Sequence, residues 1–235
     1  MRIETNTFVY NEEFLLPFYL KHYDWVDQLN VVYDTDSSDR TLEILKSNSK
    51  VNIIPFTFPD GMDDSLKVRK LNELYGESKA DVVLNVDCDE FLFDPERIKE
   101  KSLLHPIINI QLYDVYRHIS ESDLDINKTI KDQRSHGTYD PFYNKPIIVT
   151  TGLGLRWKPG NHELEEGVSR TNCGMIGAHW ANADPCFCVE RRFKNRKERQ
   201  SKMNLACHMT LHNHHITRED VIKQCEDHKN DKSVW

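Results

Sequence analysis

The sequence predicts an α/β fold, with a mostly parallel central sheet flanked by helices. In the first half of the chain, short β-branched runs alternate with longer amphipathic ones, the pattern of strands joined by crossover helices. Clusters of acidic and polar residues follow these short runs, at the strand ends where such sheets bind ligands. The composition is that of a soluble globular chain: 235 residues, 38% hydrophobic and 29% charged.

The elements follow in order. "IETNTFVY" reads as a strand. "NEEFLLPFYLKHY" reads as an amphipathic helix with Leu15, Phe18 and Tyr19 near helical spacing and Pro17 in its first turn. "LNVVYD" is a second strand, and "TDSSDRTLEILKS" a turn and helix that Ser38 or Asp39 caps. "VNIIPF" is a third strand. "DSLKVRKLNELYGES" is a helix offering Leu66, Leu71 and Leu74 to one side, and "DVVLNV" is a fourth strand. The second half is less regular. "PIINIQLYDVY" and "KPIIVTT" read as strands, with glycine-punctuated loops after them. "CFCVERRFKNRKERQSKM" reads as one helix, and "TREDVIKQCEDH" as a last helix with Thr217 as cap and Asp220 in the capping-box position. Its length suits a single domain, 1–235, with no internal repeat.

Net charge is −7, which argues against broad nucleic-acid binding. No apolar run reaches the ~20 residues that span a bilayer. The stretch "MRIETNTFVYNEE" lacks the apolar segment of an export signal. Six cysteines are then expected as reduced thiols in a cytoplasmic protein. The basic run from Arg191 to Lys202 reads as a solvated helix face, or as a face for phosphate.

"LNVDCDEFLF" crowds Asp87, Asp89 and Glu90 against apolar residues. Residues two apart on a strand point the same way, so both aspartates are expected to face one point. Carboxylates that close oppose each other's ionisation unless a cation sits between them. A hard divalent ion, Mn²⁺ or Mg²⁺, suits such oxygens and leaves places for water and substrate phosphates.

"VYNEE", "VVYDTDSSDRT" and "VLNVDCDEFLF", in that order, resemble family 2 glycosyltransferases of the GT-A fold, in the branch with an Asp-x-Asp-Glu-Phe-Leu signature. In the second motif Asp34, Ser37, Asp39 and Thr41 match, while Asp36 and Arg40 stand where that family usually has glycine. Asn72 fits the asparagine of the helix before the metal motif. "KPGNHEL" and "GAHWANADPCFCVERRFKNR" resemble later segments, with Trp180 in place of the usual tyrosine and Asn182 and Ala183 where a Lys-Ser pair is common.

The resemblance implies a GT-A-like, Rossmann-type nucleotide-binding fold. Residues 1–95 would form the nucleotide-sugar half, and 96–235 the acceptor-side half with the C-terminal helices. It implies metal-dependent transfer of a sugar, with inversion, from a nucleotide-diphosphate sugar to an acceptor hydroxyl. A UDP-sugar is the first choice of donor; the acceptor is a glycan, a lipid-linked precursor, a protein or a modified nucleic acid. Asp34 resembles the contact to the nucleotide base, with Tyr10 and Glu12 beside it. Asp87 and Asp89 resemble the metal pair, and His179 the late histidine that completes the shell. Arg69, Arg192 and Arg196 are candidates to neutralise the diphosphate. Asp184, Glu163 and His162 are candidates for the general base that takes the acceptor's proton.

Two rivals remain at this level. Cys186, Cys188, Cys207, His208, His212, His214 and His215 suggest a zinc site, and with the basic run a zinc-stabilised nucleic-acid-binding module. A metal-dependent phosphohydrolase would also use Asp-x-Asp, though usually after its first strand rather than its fourth.

Overall fold

The computed structural model describes residues 1–139, 141–165, 168–206 and 216–235. The first half runs β1 (Ile3–Val9), α1 (Leu16–His22), β2 (Gln28–Asp34), α2 (Thr41–Lys46), β3 (Val51–Phe56), α3 (Asp64–Glu77) and β4 (Val82–Asn85). β5 (Glu90–Leu92), α4 (Pro95–Ser102), β6 (Ile107–Tyr116), α5 (Ile130–Gln133), β7 (Gly137–Tyr139), β8 (Lys145–Thr150) and β9 (Ile176–Asn182) follow. Then come α6 (Pro185–Glu190), α7 (Lys202–Ala206) and α8 (Arg218–His228).

The α/β expectation holds. The strands make one sheet in the order β3-β2-β1-β4-β8-β6-β9-β5, with β7 on β6. β3, β2, β1 and β4 pair in parallel, the order of a Rossmann-type nucleotide-binding half. Parallel pairing does not extend through the rest. β8 runs antiparallel to β4 and β6, and β5 antiparallel to β9, while β6 and β9 are parallel. This mixed half bends the sheet's far edge back toward the strand ends of the parallel half, since β5 leaves the Asp-x-Asp turn directly.

Burial explains the strand choices. β1 and β2 are covered on both faces, so they read as almost continuous buried runs rather than alternating ones. Within them an asparagine ladder crosses the sheet. Asn52, Asn30, Asn6 and Asn85 are register partners on β3, β2, β1 and β4. Their side-chain amides bond in sequence: Asn52 to Asn30 at 3.0 Å, Asn30 to Asn6 at 3.1 Å, and Asn6 to Asn85 at 3.1 Å. A shift of register would strand the buried Asn6, Asn30 and Asn85 in the interior, so the ladder fixes the pairing.

On α1, Leu15, Phe18 and Tyr19 are buried as expected. On α3 the buried face is Val68, Leu71 and Tyr75, rotated from the Leu66–Leu71–Leu74 side, and the Tyr75 hydroxyl donates to the Thr150 carbonyl. Asp39 serves the start of α2 by accepting from the Thr41 N–H at 2.9 Å, although the cap position itself is Arg40. The capping box of Thr217 and Asp220 is present on α8.

The basic segment departs from one continuous helix. Asp184 caps α6, a π-helical stretch covers Arg191–Arg196, a short 3-10 turn covers Lys197–Arg199, and α7 starts afresh. The wider π turn lets Arg191 and Arg196, five residues apart, reach the same carboxylate, Asp89.

Candidate functional site

Two turns beyond β1 and β2 are zipped together. Asn11, in the left-handed region at φ 50°, accepts from the Ser38 N–H through its side chain and donates its own N–H to the Ser37 hydroxyl. The Glu12 N–H donates to the Thr41 hydroxyl at 2.8 Å, and the Glu13 N–H to Asp39 at 3.0 Å. These bonds tie the two turns together, and Tyr10, Glu12 and Asp34 line one cavity of about 630 Å³.

The acid cluster sits at the end of β4 as a turn rather than a strand extension. Its two aspartates therefore take different partners. Asp87 accepts from Lys67 at 2.7 Å and Lys145 at 2.9 Å; Lys145 also binds Glu90. Asp89 is fully buried and meets Arg191, Arg196 and His179. Burial alone would raise both carboxyls. The lysines hold Asp87, and the arginines with His179 hold Asp89, well below the usual carboxylate range. Burial pushes Glu12 up despite Arg191 beside it.

His179 faces Asp114, its register partner on β6, and Asp89 on its other side. Its Nδ1 lies 3.0 Å from Asp114, which also accepts from Asn182 and the Tyr116 hydroxyl, each at 2.9 Å. Burial would lower the imidazole's pKa, but the bonds to Asp114 and Asp89 win and raise it to about 9.

The last wall comes from the distant chain. The backbone of Met62 bonds to Arg199 and Ser201, and Asn204 accepts from the Asp64 N–H at 3.0 Å. Gly61 allows this approach, because a Cβ there would collide with the Arg199 carbonyl. The strap carries Arg199 to Asp34 at 2.6 Å and over the ring of Tyr10.

Comparison with known proteins adds overall likeness only. No family model and no curated protein matches the sequence. Among solved structures, S. aureus TarS 1–349 in complex with UDP-GlcNAc is 14% identical at a TM-score of 0.43, over 97% of this chain and 72% of that one. Glucosyl-3-phosphoglycerate synthase from Mycobacterium tuberculosis, in complex with Mn²⁺, UDP and phosphoglyceric acid, is 18% identical at a TM-score of 0.35, over 48% of this chain and 43% of that one. A longer TarS chain is 14% identical at a TM-score of 0.43 over 82% of this chain, which spans only 38% of its length.

The expected residues divide clearly. Tyr10, Glu12, Asp34, Asp87, His162, His179, Arg192 and Arg196 all line the main cavity. Arg69 does not; it lines a second cavity beside Asn72 and Trp157. Asn72 holds the loop there, accepting from the Trp157 N–H and donating to its carbonyl. Of the three base candidates only His162 lines the main cavity. The Asp184 carboxylate accepts from the Phe187 N–H as a helix cap, and Glu163 pairs with Lys158 on the surface. Trp180 is fully buried between Phe18 and Phe91. For the zinc expectation, Cys207, His208, His212, His214 and His215 lie outside the described residues. Cys188 is buried and Cys186 exposed, and no group of three metal-ligating side chains forms among the described residues. Nor is any helix there long and apolar enough to cross a membrane.

The residues sequence reasoning missed are Lys67, Lys145, Arg191, Arg199 and Asp114. Asp114 had a signal: a carboxylate inside the apolar strand "LYDVY" needs a buried partner.

The expected metal set is only partly suited to a divalent ion: no group of three metal-ligating side chains forms among the described residues, and Asp89, which does not itself line the cavity, already faces Arg191, Arg196 and His179. Asp89 Oδ1 is buried with no hydrogen-bond partner, and His179 Nε2 stands 3.5 Å from the same carboxylate. Asp114 behind His179 orients the ring as a second carboxylate often does for a ligating histidine. Asp87 offers less, since both its oxygens already face lysines.

Proposed function

We propose that the chain is a glycosyltransferase of the GT-A type, moving a sugar from a nucleotide-diphosphate sugar, a UDP-sugar first, to an acceptor hydroxyl with inversion. One observation carries this reading. Tyr10 and Asp34 from the ends of β1 and β2, and Asp87 and His179 beside buried Asp89, line the same cavity. Its volume of about 630 Å³ suits a small-molecule ligand of nucleotide size.

Asp34 and Tyr10 take the base. Asp89 and His179 would hold Mn²⁺ or Mg²⁺ once the ion displaced the proton on His179, and the ion would supply charge neutralisation for a departing diphosphate. Lys67 and Arg196 add fixed positive charge on the same side. The acceptor oxygen forms its bond to the anomeric carbon as the bond from that carbon to the diphosphate oxygen breaks. His162 is our choice of the three base candidates to take the acceptor's proton, because it lines the cavity. Buried thiols at Cys88, Cys188 and Cys225 suit a reducing compartment, in keeping with the cytoplasm.

The test is thermal unfolding with UDP, GDP, dTDP and CMP, each with and without Mn²⁺. A ligand that binds the folded state at ~100 times its dissociation constant adds roughly 2.7 kcal/mol. The expected result is a raised midpoint with UDP that grows with Mn²⁺. No shift with any nucleotide at millimolar concentration would overturn the reading.

A further inference from the structure

Six lysine and arginine side chains line the main cavity: Lys67, Lys145, Arg191, Arg192, Arg196 and Arg199. All but Arg192 face a carboxylate. Lys67 and Lys145 face Asp87, Arg191 and Arg196 face Asp89, and Arg199 faces Asp34. Among the described residues Arg192 has no acidic partner. It is held by two neutral amides instead, through Nη1 to Gln224 at 3.2 Å and Nη2 to Asn182 at 3.0 Å.

Those amides are themselves fixed. Gln224 donates to the Tyr116 hydroxyl at 2.8 Å, and Asn182 donates to Asp114 at 2.9 Å. Their oxygens therefore point at Arg192 and set its guanidinium in place without cancelling its charge. Other N–H groups of the fork remain for a ligand, and a positioned guanidinium binds phosphate or carboxylate through paired hydrogen bonds. Arg192 is anchored to other elements than the strap. Its neighbour Arg191 turns to Glu12 and Asp89, whereas Arg192 turns to β9 and α8.

We propose that Arg192, set by Asn182 and Gln224, is an anion subsite on the β9–α8 wall, and that the acceptor carries a phosphate or carboxylate group bound there. Calling that ligand the acceptor rests on the glycosyltransferase reading; the subsite itself does not.

The experiment compares sorbitol, sorbitol 6-phosphate and gluconate as probes on the full chain, by thermal unfolding and titration calorimetry, each with and without UDP. The expected result is binding of one or both anions and none of sorbitol. Arg192→Gln should weaken that binding about tenfold or more, and Arg192→Lys should restore part of it. Circular dichroism and the ligand-free midpoint report whether each variant is folded; if Arg192→Gln is not, Arg192→Lys and Gln224→Leu, which frees the guanidinium, decide instead. Absence of anion binding to the unchanged chain would overturn the proposal. So would anion binding that no substitution at Arg192 or Gln224 alters. If Arg192→Gln loses UDP binding while anion binding persists, Arg192 serves the donor diphosphate and the proposal fails. Failure of UDP alone to bind would count against the nucleotide reading and not against this subsite.

Discussion

Arg199 stands 3.6 Å from the ring centre of Tyr10. The same guanidinium reaches Asp34 at 2.6 Å and Asp36 at 3.5 Å. A flat cation thus covers an aromatic face and pairs with a carboxylate, the two groups proposed above for a flat nucleobase. A base entering there competes with it. Arg199→Ala should lower ligand-free stability by roughly 3 kcal/mol, because Asp34 loses its buried partner. It should also increase the midpoint shift produced by UDP. Weaker UDP binding in that variant would mean that Arg199 helps to hold the base.

Lys145 joins Asp87 to Glu90, and its side chain is 8% exposed. Lys145→Met should cost about 3–5 kcal/mol in urea unfolding, since it leaves buried acids short of a cation. Glu90→Gln added to it should restore part of that loss, giving a coupling in a double-mutant cycle. Strict additivity would show that Glu90 does not depend on Lys145.

His22 gives the chain an acid-sensitive point remote from the cavity. Burial lowers its pKa to about 4, outweighing the hydrogen bond to the Leu92 carbonyl, and Lys131 lowers it further. The unfolded imidazole takes its proton near pH 6.5, well before the folded one. Stability from this residue is therefore complete above about pH 6.5 and is lost as pH falls toward 4, by roughly 3 kcal/mol in all. Urea unfolding of the unchanged chain and of His22→Gln across this range checks it. The variant should lose less stability on acidification; parallel curves would assign the acid sensitivity elsewhere.

The asparagine ladder makes its own prediction. Asn6→Leu removes the central member and leaves the amides of Asn30 and Asn85 short of partners. A loss of about 2–4 kcal/mol is expected from the stranded groups. Asn52→Leu, at the exposed edge on β3, should cost well under half as much. Equal losses would show that strand packing, not the ladder, dominates.

The alternating half was legible because its apolar runs and acidic ends are local signals. Tyr10, Asp34 and Asp87 lie at strand ends, where a sequence reader looks. The rest depends on contacts between distant segments. Nothing near Lys145 says that it serves Asp87, and nothing near Arg199 says that it reaches Asp34. The basic run from Arg191 to Lys202 looked like a solvated face because charge pattern is silent on which cations turn inward. β9 was hidden by mixed polarity: His179 and Asn182 are buried there only because Asp114 on β6 receives both. The asparagine ladder has no local signal, because only the strand register places Asn52, Asn30, Asn6 and Asn85 side by side.

The strap between Met62 and the Arg199–Ser201 segment also sets a chronology. As the chain is made, Asp34 and Tyr10 emerge early, with the β1–β2 turns ready to form around them. The guanidinium that covers them and the asparagine that fastens Asp64 emerge some 140 residues after that fastening point. Closing so long a loop is slow compared with building neighbouring strands. A nascent chain halted before Arg199 would carry the groove at the ends of β1 and β2 unroofed, and the finished groove would be among the last features of the molecule to mature.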